Sequence, residues 1–360
     1  MKPCLKRLSS VRFDRSYDFH GLVGLRVQTE SLFVADYFGA EYGPAAGGIP
    51  EELPVVVLRW TDSTLPRRPG SDYRLKIHKG LARWYYRLRF EPERILIEAT
   101  GNRMAVSMVH HMLVHGCLRY LCSLHDDMML HAAALGQGGH SLLFAGSGGV
   151  GKTTVSSILL DQGGPGWELH ADDYVFLGST GDTYSYPSRS HLYADYLKAV
   201  PSATNKLSAI QRVHLNVFGT VRRVSGDRIK WPLRFEPGLL WPERASTSHA
   251  QLQALLLLES GRAEEIDLEP ISDSAALVDQ LLQMNFYEAR HTIELIEGYF
   301  SPSGYPEQWQ ARERETLRQA LEDAPAYRLS IPQIAGIDRT RLVSILQQLV
   351  TMEHGSKILD

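Results

Sequence analysis

Apolar and polar residues alternate with a period of two through much of the first hundred positions, the pattern of half-buried β-strands. Pro54–Trp60, Tyr73–His78, Ala82–Phe90 and Arg94–Ala99 are short β-type runs, and Pro, Gly and Asp/Ser clusters separate them. An antiparallel sheet module is the expectation. Trp84, Tyr86, Leu88 and Phe90 would occupy one face, and Arg83, Tyr85, Arg87 and Arg89 the other. Tyr73, Leu75 and Ile77 against Arg74, Lys76 and His78 repeat the division on the neighbouring strand. The basic face reads first as the solvated outer side of a half-buried sheet. A surface for an acidic peptide or a nucleic acid is the alternative.

From Met104 the period lengthens to three and four, which predicts a helix over Met104–Leu124 joining two modules. His110, His111 and His115 fall on it, and the last two would share a helix face. No third ligand and no Glu in a metalloprotease arrangement is evident, so they read as core or surface histidines.

Beyond the helix the pattern returns to strands. Leu130–Leu135 and His140–Ala145 flank the tight turn Gly136-Gln137-Gly138-Gly139, which predicts an antiparallel hairpin. Val155–Leu160 is helix-like and is stopped by Gln162-Gly163-Gly164-Pro165-Gly166. Trp167–Ala171 is a further strand, and Tyr174–Leu177 continues extended. Leu252–Glu259 has the character of a buried strand, Asp273–Phe300 and Glu307–Glu322 of helices, Tyr327–Pro332 of a strand and Thr340–Met352 of an amphipathic helix.

Composition adds bounds. At 360 residues, 44% hydrophobic and 22% charged, the chain can fill two ordinary globular domains. A net charge of −3 supplies no global pull toward nucleic acid or an anionic membrane, and neither partner is expected. No apolar run is long enough to span a bilayer. The basic start Met1–Ser10 has no hydrophobic stretch behind it, so a secretory signal is not expected and a cytoplasmic location is. Cys4, Cys117 and Cys122 fit neither a disulfide framework nor a common zinc spacing and read as free thiols.

The chemistry concentrates in the run Gly146-Ser147-Gly148-Gly149-Val150-Gly151-Lys152-Thr153-Thr154, between the strand that ends at Ala145 and the helix that follows. A glycine-rich turn with these flanks can wrap its backbone N–H groups around a phosphate, because Gly146, Gly148, Gly149 and Gly151 tolerate positive φ. The helix N-terminus then favours the same anion. Lys152 is placed to reach the β- and γ-phosphates, and the Thr153 hydroxyl to ligate Mg²⁺. One helix and one turn later comes Asp172-Asp173. Neighbours on a strand point to opposite faces, so the two carboxylates should differ in role, one holding Mg²⁺ and the other accepting a proton from an incoming hydroxyl.

His131-Ala132-Ala133-Ala134, Leu142–Thr154 and His170–Leu177, in that order, resemble the kinase domain of HPr kinase/phosphorylase and its broader relatives. Those include HPr kinase-like serine kinases and, more distantly, the ATP-dependent phosphoenolpyruvate carboxykinases. The likeness is close over residues 128 to 178 and diffuse to about residue 335. It implies an α/β (α+β) fold, with a P-loop core of mixed sheet and flanking helices after a β-rich N-terminal domain. Boundaries follow at 1–102, 103–126 (connecting helix), 127–335 (catalytic domain) and 336–360 (closing helix and tail). The resemblance further implies that Asp172 is the general base, that Asp173 lies nearer the metal, and that His131 opens the hairpin facing the active site. The loop that supports phosphorolysis in HPr kinase/phosphorylase is not recognisable, and carboxykinase metal ligands are not found downstream.

Phosphoryl transfer also asks for a cation at the γ-oxygens. Arg189 is the leading candidate, followed by Lys206 and the cluster Arg222, Arg223, Arg228, Lys230 and Arg234, which reads more simply as an exposed loop. The expected activity is transfer of the γ-phosphoryl group of ATP, with Mg²⁺, to a Ser or Thr hydroxyl of a peptide or small protein. A small-molecule acceptor and a non-catalytic ATP-binding regulator are the alternatives. A homo-oligomer is left open.

Overall fold

The computed structural model describes residues 11–62, 75–79, 81–194, 196–226, 232–244, 247–261, 264–300, 305–332 and 336–351. It is a mixed α and β structure that divides into two compact units, Met1–Met128 with Phe286–Glu313, and Met129–Asn285 with Arg314–Asp360.

The first unit begins with a hairpin, β1 (Phe13–Phe19) and β2 (Val23–Thr29), followed by α1 (Leu32–Tyr42). Strands β3 (Val55–Trp60), β4 (Leu75–Lys79), β5 (Ala82–Glu91) and β6 (Arg94–Gly101) complete a sheet ordered β1-β2-β3-β6-β5-β4. It is mixed rather than antiparallel, because β3 runs parallel to both β2 and β6. Parallel neighbours need a crossover connection, and α1 supplies the one between β2 and β3. The registers align Leu25 with Val56, Val56 with Ile95, and Ile97 with Leu88, so one apolar face runs across the sheet. Burying each of these large side chains contributes about 1.5–3 kcal/mol.

The opposite face is solvated as expected at two of its arginines and closed at the third. Arg83 and Arg89 are exposed, but Arg87 is 5% exposed and forms a 3.0 Å ion pair with the buried Glu98 directly across on β6. A cross-strand partner converts this arginine from surface to core. Tyr73 and Arg74 lie outside the described residues.

The helical segment is α2 (Arg103–Val109), a π-turn over His110–Val114 and α3 (His115–Cys122). It packs on strands β2, β3, β5 and β6 and so belongs to the first unit's core rather than serving as a connector. Cys117 and Cys122 are buried free thiols, and burial holds both well above the ordinary thiol range. Cys4 lies outside the described residues.

β7 (Asp127–Leu130), β8 (Ala132–Gln137) and β9 (His140–Ala145) follow, then α4 (Lys152–Gln162), β10 (Glu168–Ala171), β11 (Val175–Gly178), β12 (Asp182–Ser185) and β13 (Ser190–Leu192). Helices α5 (Tyr196–Ala199), α6 (Ser202–Lys206) and α7 (Ala209–Val224) precede β14 (Leu233–Phe235), which pairs with β13, and α8 (Pro237–Leu240). β15 (His249–Ser260) organises the large sheet. It is parallel to β9 along one edge, and on the other it pairs first with β12 and then with β17 (Ala326–Ile331). The apolar run Leu252–Leu258 is buried because strands flank it on both edges. β16 (Asp267–Pro270) borders β17.

α9 (Ser274–Phe300), α10 (Tyr305–Ala320) and α11 (Arg339–Thr351) close the chain. Asp273 starts α9 by accepting the Ala276 N–H at 2.9 Å. Both α9 and α10 cross from one unit into the other, so the stretch expected to be one catalytic domain, 127–335, returns Phe286–Glu313 to the first unit. Among the described residues, no helix is long and apolar enough to cross a membrane.

Candidate phosphate and metal site

β8 and β9 form the antiparallel hairpin, with Ala132 opposite Ala145 and Gln137 opposite His140. β9 delivers the chain to the glycine loop, and α4 starts at Lys152. Gly149 and Gly151 take φ of 86° and 111°, where a side chain would be strained, whereas Gly148 does not adopt positive φ. Gly146 serves for closeness: a Cβ there would lie 2.8 Å from Val150 Cγ1 and 3.1 Å from the Leu258 carbonyl of β15. Lys152 is buried, and its ammonium donates to the Gly146 carbonyl at 2.7 Å, closing the loop on itself.

β10 pairs with β8, which sets the Asp172-Asp173 corner beside the hairpin. His131, at the head of the hairpin, lies 3.1 Å from Asp173 Oδ1 through Nε2. Its own backbone N–H donates to the buried Asn285, whose amide in turn donates to the Met129 carbonyl. The Tyr174 ring packs beside the imidazole at 5.3 Å. The histidine is therefore held by backbone, side chain and stacking together.

The two carboxylates titrate in opposite directions. Burial, then the negative charge of Asp173, push Asp172 above the usual carboxylate range. Hydrogen bonds from Ser190 and Thr153 and the charge of His191 oppose that rise without cancelling it. For Asp173 burial again works against ionisation, but the His131 hydrogen bond outweighs it together with the charges of His131, His191 and Lys152. Asp173 is held below the ordinary range. It lies deep among protein groups, yet 41% of its side chain is open to solvent. Asp172 thus gives up its proton less readily than an ordinary carboxylate, and Asp173 more readily, with Asp173 still open to solvent.

The Asp173 carboxylate and the Thr153 hydroxyl are oxygen donors of the kind Mg²⁺ accepts. The Thr153 proton goes to Asp172, which leaves its lone pairs for a metal. Gly146–Thr154, His131, Asp172 and Asp173 therefore converge. Arg189 precedes Ser190 and His191, the two residues of that strand that act on the carboxylates.

Lys206 is committed elsewhere, to the Leu240 carbonyl. The arginine cluster is not a loop: Arg222 and Arg223 lie in the last turn of α7, and Arg234 lies on β14 opposite His191. Arg228 and Lys230 lie outside the described residues. Arg222 stacks on the Tyr193 ring at 5.1 Å, and Arg222, Arg234 and Asp173 all act on that phenol, whose pKa burial raises. Beside it a cavity of about 550 Å³ is lined by Tyr193, Leu197, Lys198, Phe218, Arg222 and Arg223. Ser190, His191 and Tyr193 were missed in the sequence. Ser190 and His191 lie on β13, the third strand after the acidic corner, and Tyr193 directly follows it, so no local sequence signal ties them to the carboxylates. No protein-family model and no curated protein matches the chain.

Proposed function

We propose that this chain is an ATP- and Mg²⁺-dependent kinase of HPr kinase-like type that transfers a γ-phosphoryl group to a hydroxyl, a Ser or Thr of a peptide or small protein. The observation that carries the reading is the meeting of a phosphate-type loop with two carboxylates in different settings, Asp172 bonded by Thr153 and Ser190 and Asp173 by His131. Simple nucleotide binding has no use for a carboxylate poised to take a proton.

In this reading the loop amides and the α4 N-terminus hold the phosphates, and Lys152 exchanges its Gly146 carbonyl for their oxygens. Thr153 and Asp173 would hold Mg²⁺, which when bound offsets charge on the phosphates. Asp172 receives the acceptor hydroxyl's proton as that oxygen bonds to the γ-phosphorus and the bond from phosphorus to the bridging oxygen of the departing ADP breaks. His131 fixes Asp173 in place. Arg189, which precedes Ser190 and His191, and Arg222, which stacks on Tyr193, are the arginines assigned to the transferring group. The cavity beside Tyr193 is assigned to the acceptor side chain.

The test is incubation of the chain with γ-labelled ATP and hydroxyl-bearing peptides and small proteins. Label on Ser or Thr is expected, and Asp172→Asn should lower transfer by about 10²–10⁴-fold while nucleotide binding persists. Transfer that survives the substitution removes Asp172 from its role. Tight ATP binding without transfer to any acceptor replaces the kinase by a nucleotide-binding regulator.

A further inference from the structure

The three histidines of the helical segment come together in a way their sequence spacing does not provide. On an α-helix, residues five apart lie about 140° apart around the axis. Here the His115 N–H donates to the His110 carbonyl, a π-type bond that rotates His110 and His115 onto one side. Their rings are 4.4 Å apart at 80°, and His111 lies 4.8 Å from the first and 5.1 Å from the second. One ring nitrogen from each of the three falls within 4.8 Å of the others.

The protein commits other residues to this irregular turn. The Thr292 hydroxyl donates to the Met112 carbonyl inside it, a side chain inserted where a regular helix would use its own N–H. Thr292 approaches so closely that a Cβ on Gly116 would lie 1.9 Å from its methyl carbon. Tyr37 bonds His110 Nδ1 at 2.9 Å, and Tyr42 bonds its Nε2. Packing alone would be served by an ordinary helix, and π-turns occur disproportionately at functional sites.

We propose that His110, His111 and His115 form a binding site for a late first-row transition-metal ion such as Zn²⁺, with water in a fourth position. Three neutral imidazoles are a ligand set that suits Zn²⁺, Cu²⁺ or Ni²⁺ and excludes hard cations such as Mg²⁺. Zinc–nitrogen bonds of about 2.0–2.1 Å in tetrahedral array place the nitrogens about 3.4 Å apart, so the rings close inward by roughly 1 Å on binding. His111, half-buried, has room for that movement. His110 would ligate through Nδ1. The half-buried Tyr37 hydroxyl gives way and turns to water, and the buried Tyr42 keeps Nε2 as the orienting partner. The site owes nothing to the kinase reading and stands if that reading fails.

The full-length chain, stripped with a chelator and dialysed, is titrated with Zn²⁺ against a chromophoric competitor, and with Co²⁺ for its visible ligand-field spectrum. The expected result is one tight equivalent of Zn²⁺ and a tetrahedral-type Co²⁺ spectrum in the wild type and in Asp173→Asn. His111→Ala and His115→Ala should each weaken Zn²⁺ by at least about tenfold. Circular dichroism confirms folding, and the half-buried His111 is the variant that keeps the test valid if His115→Ala unfolds. Tyr37→Phe, which removes the competing hydroxyl, should tighten binding. A wild type that takes up no Zn²⁺, or a His111→Ala protein that holds it as tightly as the wild type, overturns the site. Loss in Asp173→Asn alone does so too.

Discussion

Two charged clusters, one in each unit, are built to opposite rules. In the first unit Arg119 and Glu313 are 3% and 0% exposed and pair with one another through two hydrogen bonds. Trp309 donates its indole N–H to the same carboxylate at 2.8 Å, and the guanidinium lies over the Phe286 and Trp309 rings. In the second unit Asp172 and Asp173 stand side by side, and the local cations satisfy only one of them. A closed pair holds a fold together, whereas an unbalanced pair costs stability and is retained for what it does. Unbalanced charge, more than burial as such, separates the candidate site from the scaffold.

Breaking the closed pair should have the largest effect on the fold. Glu313→Ala strands the Arg119 charge, and a loss of about 3–5 kcal/mol is expected in denaturant unfolding. A loss below 1 kcal/mol would show that the pair is not structural. Next comes Gly116→Ala, where the added methyl meets Thr292; overpacking of this kind costs about 1–3 kcal/mol. A double change with Thr292→Ser should recover part of that loss.

Relieving the unbalanced pair should act in the other direction. Asp172→Asn removes the repulsion on Asp173 and is expected to raise stability by about 1 kcal/mol at neutral pH while it lowers the proposed transfer. Lower stability in that variant would mean that the Thr153 and Ser190 hydrogen bonds matter more than the repulsion.

The smallest effect is in pH dependence. Asp172 binds its proton more tightly folded than unfolded, so its contribution to stability is present below the ordinary carboxylate pKa of about 4 and falls as pH rises through the raised value. Asp173 contributes above that range and loses its contribution on acidification. Asp172→Asn should therefore flatten the decline on the alkaline side of pH 4 and leave acid unfolding intact. In the wild type the transfer rate should rise with pH through the titration of Asp172.

The parts of this architecture legible in the sequence are the local ones. The strand, loop and helix around Gly146–Thr154 depend on residues within one short stretch, and so does the hairpin of β8 and β9. The hairpin of β1 and β2 went unread although Tyr17, Phe19, Val23, Leu25 and Val27 alternate as strands should. Its turn is made by His20 and Gly21 at positive φ, closed by an Asp18 carboxylate on the Gly21 N–H, without the Asn-Gly signal.

The burial of Arg87 depends on the pairing of β5 with β6, and the parallel pairing around β3 and the return of Phe286–Glu313 depend on residues far apart in the chain. The π-turn was invisible for the same reason. Its apolar spacing matches a regular helix, and its cause, Thr292, lies on another element. At the site, the sequence marked the glycines, Lys152, Thr153 and the acidic corner. It could not rank the arginines, because only folding sets Arg222 and Arg234 around Tyr193.

The contact between Lys152 and the Gly146 carbonyl has a kinetic meaning. An ammonium exposed to solvent would have to shed water before meeting an anion, whereas Lys152 is buried and already bonded to a carbonyl. Arrival of an anion becomes an exchange of one oxygen for another. Under the proposed kinase reading, the loop would capture a phosphate with little reorganisation, and the same carbonyl would reclaim the lysine once the anion leaves.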